Sequence, residues 1–161
     1  MDVLIINRQR TKKINTRLLK QIVEELFAEL EITSAELGIH LVGAKKMAQV
    51  NRQFLGHEGS TDVITFDHSS ANSQLPSPNS PIYGELFICV DEAVAQAKEF
   101  GTDWSSEVVR YLVHGVLHLL GYDDLQPDLR RAMKREENRL LRRLEIRFAL
   151  AQLSRTVKMA A

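Results

Sequence analysis

His114, His118 and Asp124 are the residues of this chain whose types and spacing point most directly to chemistry. They fall in one run, His114-Gly115-Val116-Leu117-His118-Leu119-Leu120-Gly121-Tyr122-Asp123-Asp124. On a helix, side chains four residues apart lie one turn above each other, so both imidazoles share a face and can reach one ion at about 2.0–2.1 Å. Gly121 suits the left-handed conformation that ends a helix and turns the chain back. That reversal returns Asp124 toward the same ion. Two histidines and a carboxylate leave a coordination position open, as catalytic sites do and closed structural sites do not. Asp123 is an alternative ligand, a base, or the cap of the turn, and His57 and His68 are alternative donors from other segments.

A histidine pair by itself is a weak signal. Here Val109, Leu112, Val113, Val116, Leu117, Leu119 and Leu120 make the surrounding helix apolar. Two imidazoles buried there without a partner would be costly. The spacing also mimics that of zinc peptidases, whose helix carries Glu directly after the first histidine as general base. Gly115 occupies that place, which disfavours peptide hydrolysis.

The elements that must position these residues follow from periodicity. Short aliphatic runs predict strands over 3–6, 38–42, 63–66 and 85–90. Leu18, Leu19, Ile22, Val23, Leu26, Phe27 and Leu30 recur at helical spacing after an Asn15 or Thr16 cap, predicting a helix to about Leu30. Further helices are expected over 45–54, over 92–100 with Gly101 as its stop, from 106 to about 120 after a cap at Asp103 or Ser105, and from Pro127 to about Phe148. The last should turn Leu129, Met133, Leu140, Leu144 and Phe148 inward, and Phe54, Phe66, Phe87 and Phe100 read as core. Residues 69–81, rich in Ser, Asn and Pro, read as a surface loop and not a domain linker, because neither side could complete a core alone. The expectation is an α/β single domain over 1–153, with one small mixed four-stranded sheet packed by about five helices, and a frayed tail over 154–161.

Lys plus Arg and Asp plus Glu both number 21, so global charge names no partner and any attraction for a polyanion must be local. The one cysteine, Cys89, sits in the apolar run Leu86-Phe87-Ile88-Cys89-Val90 and reads as a buried thiol. Absence of a disulfide framework, of a signal-peptide pattern and of any apolar stretch near the ~20 residues of a membrane span points to the cytoplasm.

Residues 114–123 resemble the signature of the bacterial YbeY family, His-Gly-x-Leu-His-Leu-x-Gly-Tyr-Asp-His, with Val116 and Leu120 at its variable places. Asn51 and Phe54-Leu55-Gly56, followed by Thr61-Asp62-Val63-Ile64-Thr65-Phe66, resemble its Asn…Gly…Thr-Asp-Val-Leu-Ser-Phe segment. Gly84-Glu85-Leu86-Phe87-Ile88 is similar to its Gly-Asp/Glu-Ile/Leu-x-Ile strand, so the likeness runs from about residue 37 to 126. The resemblance implies a metal-dependent single-strand endoribonuclease of ribosomal RNA maturation, at the 3′ end of the small-subunit RNA, and of ribosome quality control. It implies single-stranded rRNA and the small ribosomal subunit as partners, and one zinc-like ion held by three histidines. Asp124 stands at the third histidine and is itself a competent zinc ligand. Leu55 stands where some members carry Arg; Arg52, three residues earlier, is a candidate phosphate contact.

Arg135, Arg139 and Arg142 are candidate RNA contacts on the C-terminal helix, which also carries Arg130, Arg131, Lys134, Arg143 and Arg147 against Asp128, Glu136, Glu137 and Glu145. The plainer reading of that run is a solvated helix face. Arg8, Arg10, Lys12 and Lys13 would widen the surface if they lie nearby. Two other functions fit the sequence less well: a non-catalytic ribosome-assembly factor with a structural metal, and a zinc metallopeptidase.

Overall fold

The computed structural model describes residues 1–69 and 81–154. In chain order these form β1 (Asp2–Asn7), α1 (Thr16–Glu29), β2 (Ala35–Val42), α2 (Ala44–Val50) continuing into a π turn (Asn51–Leu55), β3 (Val63–Asp67), β4 (Ile82–Cys89), α3 (Val90–Phe100), α4 (Trp104–Leu119), α5 (Pro127–Arg147) and a 3-10 turn (Leu150–Ser154). Most of the predicted surface loop, and the tail beyond Ser154, lie outside the described residues.

The strands order themselves β1-β2-β4-β3 in one mixed sheet, with β1, β2 and β4 parallel and β3 antiparallel at the edge. Alternation along β2 and β4 sends Leu37, Ile39, Leu41, Leu86 and Ile88 to one face, where α1, α4 and α5 meet them in the main core. A smaller cluster on the other face, Val42, Met47, Val50, Ile64 and Cys89, seats α2 over the carboxyl ends of the strands. Asn15 caps α1, its side chain accepting from the Leu18 N–H at 3.0 Å. Asp103 is the N-cap residue of α4 but makes no side-chain cap bond, and Ser105 lies inside the helix, buried and without a partner among the described residues.

Three apolar expectations fail. Phe54 and Phe100 are 59% and 64% exposed, and Leu129 is 44% exposed. Phe100 is the last residue of α3 and Leu129 belongs to the first turn of α5, so both stand at helix ends. Phe54 instead ends an aromatic row on the more open sheet face: its ring meets Phe66 edge-on at 5.5 Å, Phe66 meets Phe87 at 5.6 Å, and Phe87 stacks on His40 at 4.2 Å. The terminal 3-10 turn has no counterpart in the predicted elements; it buries Leu150 and Leu153 against the core.

Candidate metal centre

α4 is buried on nearly every side, and Gly115 lets it approach the sheet closely: a Cβ there would stand 2.7 Å from Leu86 Cδ2. His114 and His118 occupy its remaining, partly open face, each with a side chain 27% exposed. The helix ends as its sequence dictates. Gly121 takes φ 100°, its N–H reaches the His118 carbonyl at 3.0 Å, and the Tyr122 N–H reaches the Leu117 carbonyl at 3.0 Å. The chain reverses and Asp124 comes back over the two rings.

Three ligand atoms converge. His114 Nε2 and His118 Nε2 are 3.1 Å apart, and Asp124 Oδ2 lies 3.6 Å from the first and 3.7 Å from the second. A triangle with these sides has a circumscribed radius of about 2.0 Å, so a cation at or just above its centre meets the ~2.0–2.2 Å bonds zinc makes to nitrogen and oxygen. Among the described residues this is the one group of three or more such side chains arranged to hold an ion.

The hydrogen bonds behind the rings fix what the triangle presents. His114 Nδ1 donates to Glu137 Oε2 at 2.9 Å, and His118 Nδ1 donates to the Tyr122 carbonyl at 3.0 Å. A carbonyl only accepts, and so does an ionised carboxylate, so each ring carries its hydrogen on Nδ1 and turns a lone pair on Nε2 forward. With neutral rings, two lone pairs and a carboxylate oxygen thus face one point, which suits a positive charge, either a metal ion or the proton that the raised His114 pKa favours between the two Nε2 atoms.

Glu137 is 4% exposed, on α5, and also accepts from Arg110 Nη1 at 2.7 Å and Lys134 Nζ at 3.3 Å. Burial pushes its carboxyl upward, but the His114 and Arg110 hydrogen bonds outweigh it and bring the pKa down to about 2. Burial likewise opposes charge on His114, yet the bond to Glu137 and the charges of Glu137 and Asp124 hold that ring above the usual histidine value. Burial and the neighbouring His114 hold His118 below it.

The triangle opens onto a cleft of about 330 Å³ between α4 and α5, lined also by Asp62 before β3 and Gln96 of α3. Arg110, Arg130 and Lys134 bring positive charge to its wall, and Arg130 Nε steadies the ligand turn through the Asp124 carbonyl at 3.1 Å. Tyr111 also lines it; burial pushes its phenol pKa up, so the hydroxyl stays protonated, and it has no partner among the described residues.

The other sequence candidates go elsewhere. Asp123 Oδ1 accepts from the Leu125 N–H at 2.9 Å, capping the turn. His68 joins His40 across the Glu85 carboxylate, at 2.9 and 2.8 Å, and holds that carboxyl below its usual range; neither His68 nor His57 enters the triangle. Arg135, Arg139 and Arg142 border a separate depression with Tyr122 on the outer side of α5, with Arg139 paired to Glu136. Arg52 is exposed on the π turn and does not line the cleft. The sequence reading missed Glu137, which it groups with the solvated charges. Its spacing carried a signal, since it falls on the same inward stripe as Met133, Leu140 and Leu144.

A model of the family described as Endoribonuclease YbeY matches residues 4–145. The Endoribonuclease YbeY of Chlorobium luteolum is 33% identical over 144 residues, 89% of this chain and 98% of that protein. That of Parabacteroides distasonis is 41% identical over 97 residues, 60% of this chain and 63% of that protein. The solution structure of a Thermotoga maritima protein shares the fold at a TM-score of 0.65 with 23% identity, covering 98% of this chain and 99% of that one.

Proposed function

This chain belongs to the YbeY endoribonuclease family, and from that premise we propose that it is a metal-dependent endoribonuclease cutting single-stranded RNA in ribosomal RNA maturation. The observation that supports the metal dependence is the convergence of His114 Nε2, His118 Nε2 and Asp124 Oδ2 to 3.1–3.7 Å from one another, while Nδ1 of each ring is held from behind. Zinc fits its distances and its mixed nitrogen and oxygen donors. Bound there, a divalent cation supplies Lewis acidity toward a phosphodiester oxygen.

The chain's own residues do the rest. Glu137 and the Tyr122 carbonyl hold the two rings in the ligating tautomer. Arg110, Arg130 and Lys134 offer the cleft wall to phosphate oxygens. Asp124 adds a negative charge where the family motif has a histidine, so the site should grip its cation well and polarise substrate less. Gly115, wedged against Leu86, has no room for the glutamate a zinc peptidase needs. On the same reading the protein works in the cytoplasm, with the small ribosomal subunit as its partner. No helix among the described residues is long and apolar enough to cross a membrane.

The test is His118→Ala. Elemental analysis of the wild type should find one equivalent of metal per chain, and the variant should lose both the metal and cleavage of a labelled single-stranded RNA. Cleavage that survives complete chelation of the wild type would reject the metal mechanism.

A further inference from the structure

A second electropositive site lies at the carboxyl ends of β1 and β2, across β4 from Asp62 of the metal cleft. Arg8 and Arg10 leave the end of β1, Lys45 and Lys46 open α2, and with Gln9, Gln49 and Gly43 they line a depression of about 300 Å³. All four cations are at least partly exposed, and none is in an ion pair among the described residues. On α5, Arg131, Lys134, Arg139, Arg143 and Arg147 are each matched by a carboxylate, while Arg130, Arg135 and Arg142 are in no ion pair among the described residues.

The site is braced. Asp91, at the start of α3, accepts from the Ala44 N–H at 2.5 Å and from the Thr11 hydroxyl, tying the two basic segments to one carboxylate. That engages the nearest acid in backbone support. Arg8 is fixed by its N–H to the Leu41 carbonyl at 3.0 Å, and Gln9 bonds the Lys12 backbone in both directions.

Its position relates it to the metal. Cys89 ends β4, and its N–H reaches the Asp62 carbonyl at 2.9 Å; Asp62 in turn lines the metal cleft. β2 separates β4 from β1, so the end of β1 lies two strand spacings, roughly 10 Å, from that of β4. Asp62 lies on the β3 side of β4, one spacing farther, so about 14 Å separates it from the end of β1.

We propose that Arg8, Arg10, Lys45 and Lys46 bind backbone phosphates of the single-stranded RNA substrate a few nucleotides from the cut. This rests on the ribonuclease reading. Unpaired cations in an otherwise neutral protein are the footprint of sequence-independent phosphate binding, and Gln49 adds a neutral donor.

The test measures binding of 2′-O-methyl oligoribonucleotides, from about two to about twelve residues long, to the metal-loaded full chain across a salt series. Lys45→Gln/Lys46→Gln should weaken the longer oligomers about tenfold at low salt. It should also flatten the plot of log K against log salt by about 0.7 for each phosphate the protein no longer neutralises, or about 1.4 for the pair. The shortest oligomers, confined to the cleft, should bind as they do to the wild type. Adding Arg10→Gln should flatten the plot further, while the unfolding midpoint of these surface variants stays near the wild-type value. Wild-type slope and affinity at every length, or a loss seen only with Arg142→Gln on α5, overturns the proposal. Cleavage is scored separately. A wild type that cuts RNA while the variants bind normally removes this site and leaves the function; variants that lose binding in a protein that never cuts RNA do the reverse.

Discussion

At the scale of single residues, Glu137 is the side chain on which the proposed metal centre most depends without being part of its triangle. It accepts from His114, Arg110 and Lys134 while almost fully buried. Glu137→Gln keeps the shape and an acceptor oxygen but removes the charge that favours a basic His114. Metal affinity should fall by about 10–100-fold, read by competition with a chromophoric chelator; unchanged affinity would make Glu137 merely structural. The same residue sets an acid dependence. Its folded pKa of about 2 lies below the ordinary 4.5, so the stability it contributes is present above pH 4.5 and lost as pH falls toward 2. Acid unfolding of the metal-free protein, followed by circular dichroism, should therefore be shallower in Glu137→Gln across that window. The histidine pair and Asp124 were legible in the sequence because helical spacing and a terminal glycine are local rules. Glu137 was not, because its partner lies 23 residues away on another helix and only the fold brings the two together.

At the scale of elements, close approach of α4 to β4 sets the depth of the metal site. Gly115 rests on Leu86, and Gly84 has only 2.4 Å from an added Cβ to the Phe66 carbonyl and 2.7 Å to Leu119 Cδ2. Gly115→Ala should force the fully buried Leu86 to repack and cost about 1–3 kcal/mol in denaturant unfolding. It should also move α4 off the sheet and so weaken the metal, whereas unaltered stability would show that the packing here is loose. Strand and helix positions were readable because the strands carry short apolar runs and α1 carries a continuous apolar stripe. Phe54, Phe100 and Leu129 were misread because periodicity tells which face a side chain takes, not whether another element extends far enough to cover it. The π turn over Asn51–Leu55 left no comparable mark in the sequence.

At the scale of the whole molecule, the question is whether the ion holds the fold together or the fold holds the ion. Two ligands share one helix and the third follows six residues later, so the ion closes only a short loop. The main core, running from Ile14 to Leu153, is complete without it. Metal-free protein should therefore stay folded, unlike small zinc domains that unfold on chelation. It should still be less stable, because a ligand that binds only the folded state adds about 2.7 kcal/mol at a concentration 100 times its dissociation constant. For a domain of this size each kcal/mol moves the melting temperature by about 2–4 °C. Loading with zinc at that ratio should thus raise the midpoint by about 5–11 °C in the wild type and leave His118→Ala where it was. An equal rise in both proteins would place the stabilising zinc elsewhere, and collapse of secondary structure on chelation would make the ion part of the fold, which the short span between its ligands argues against.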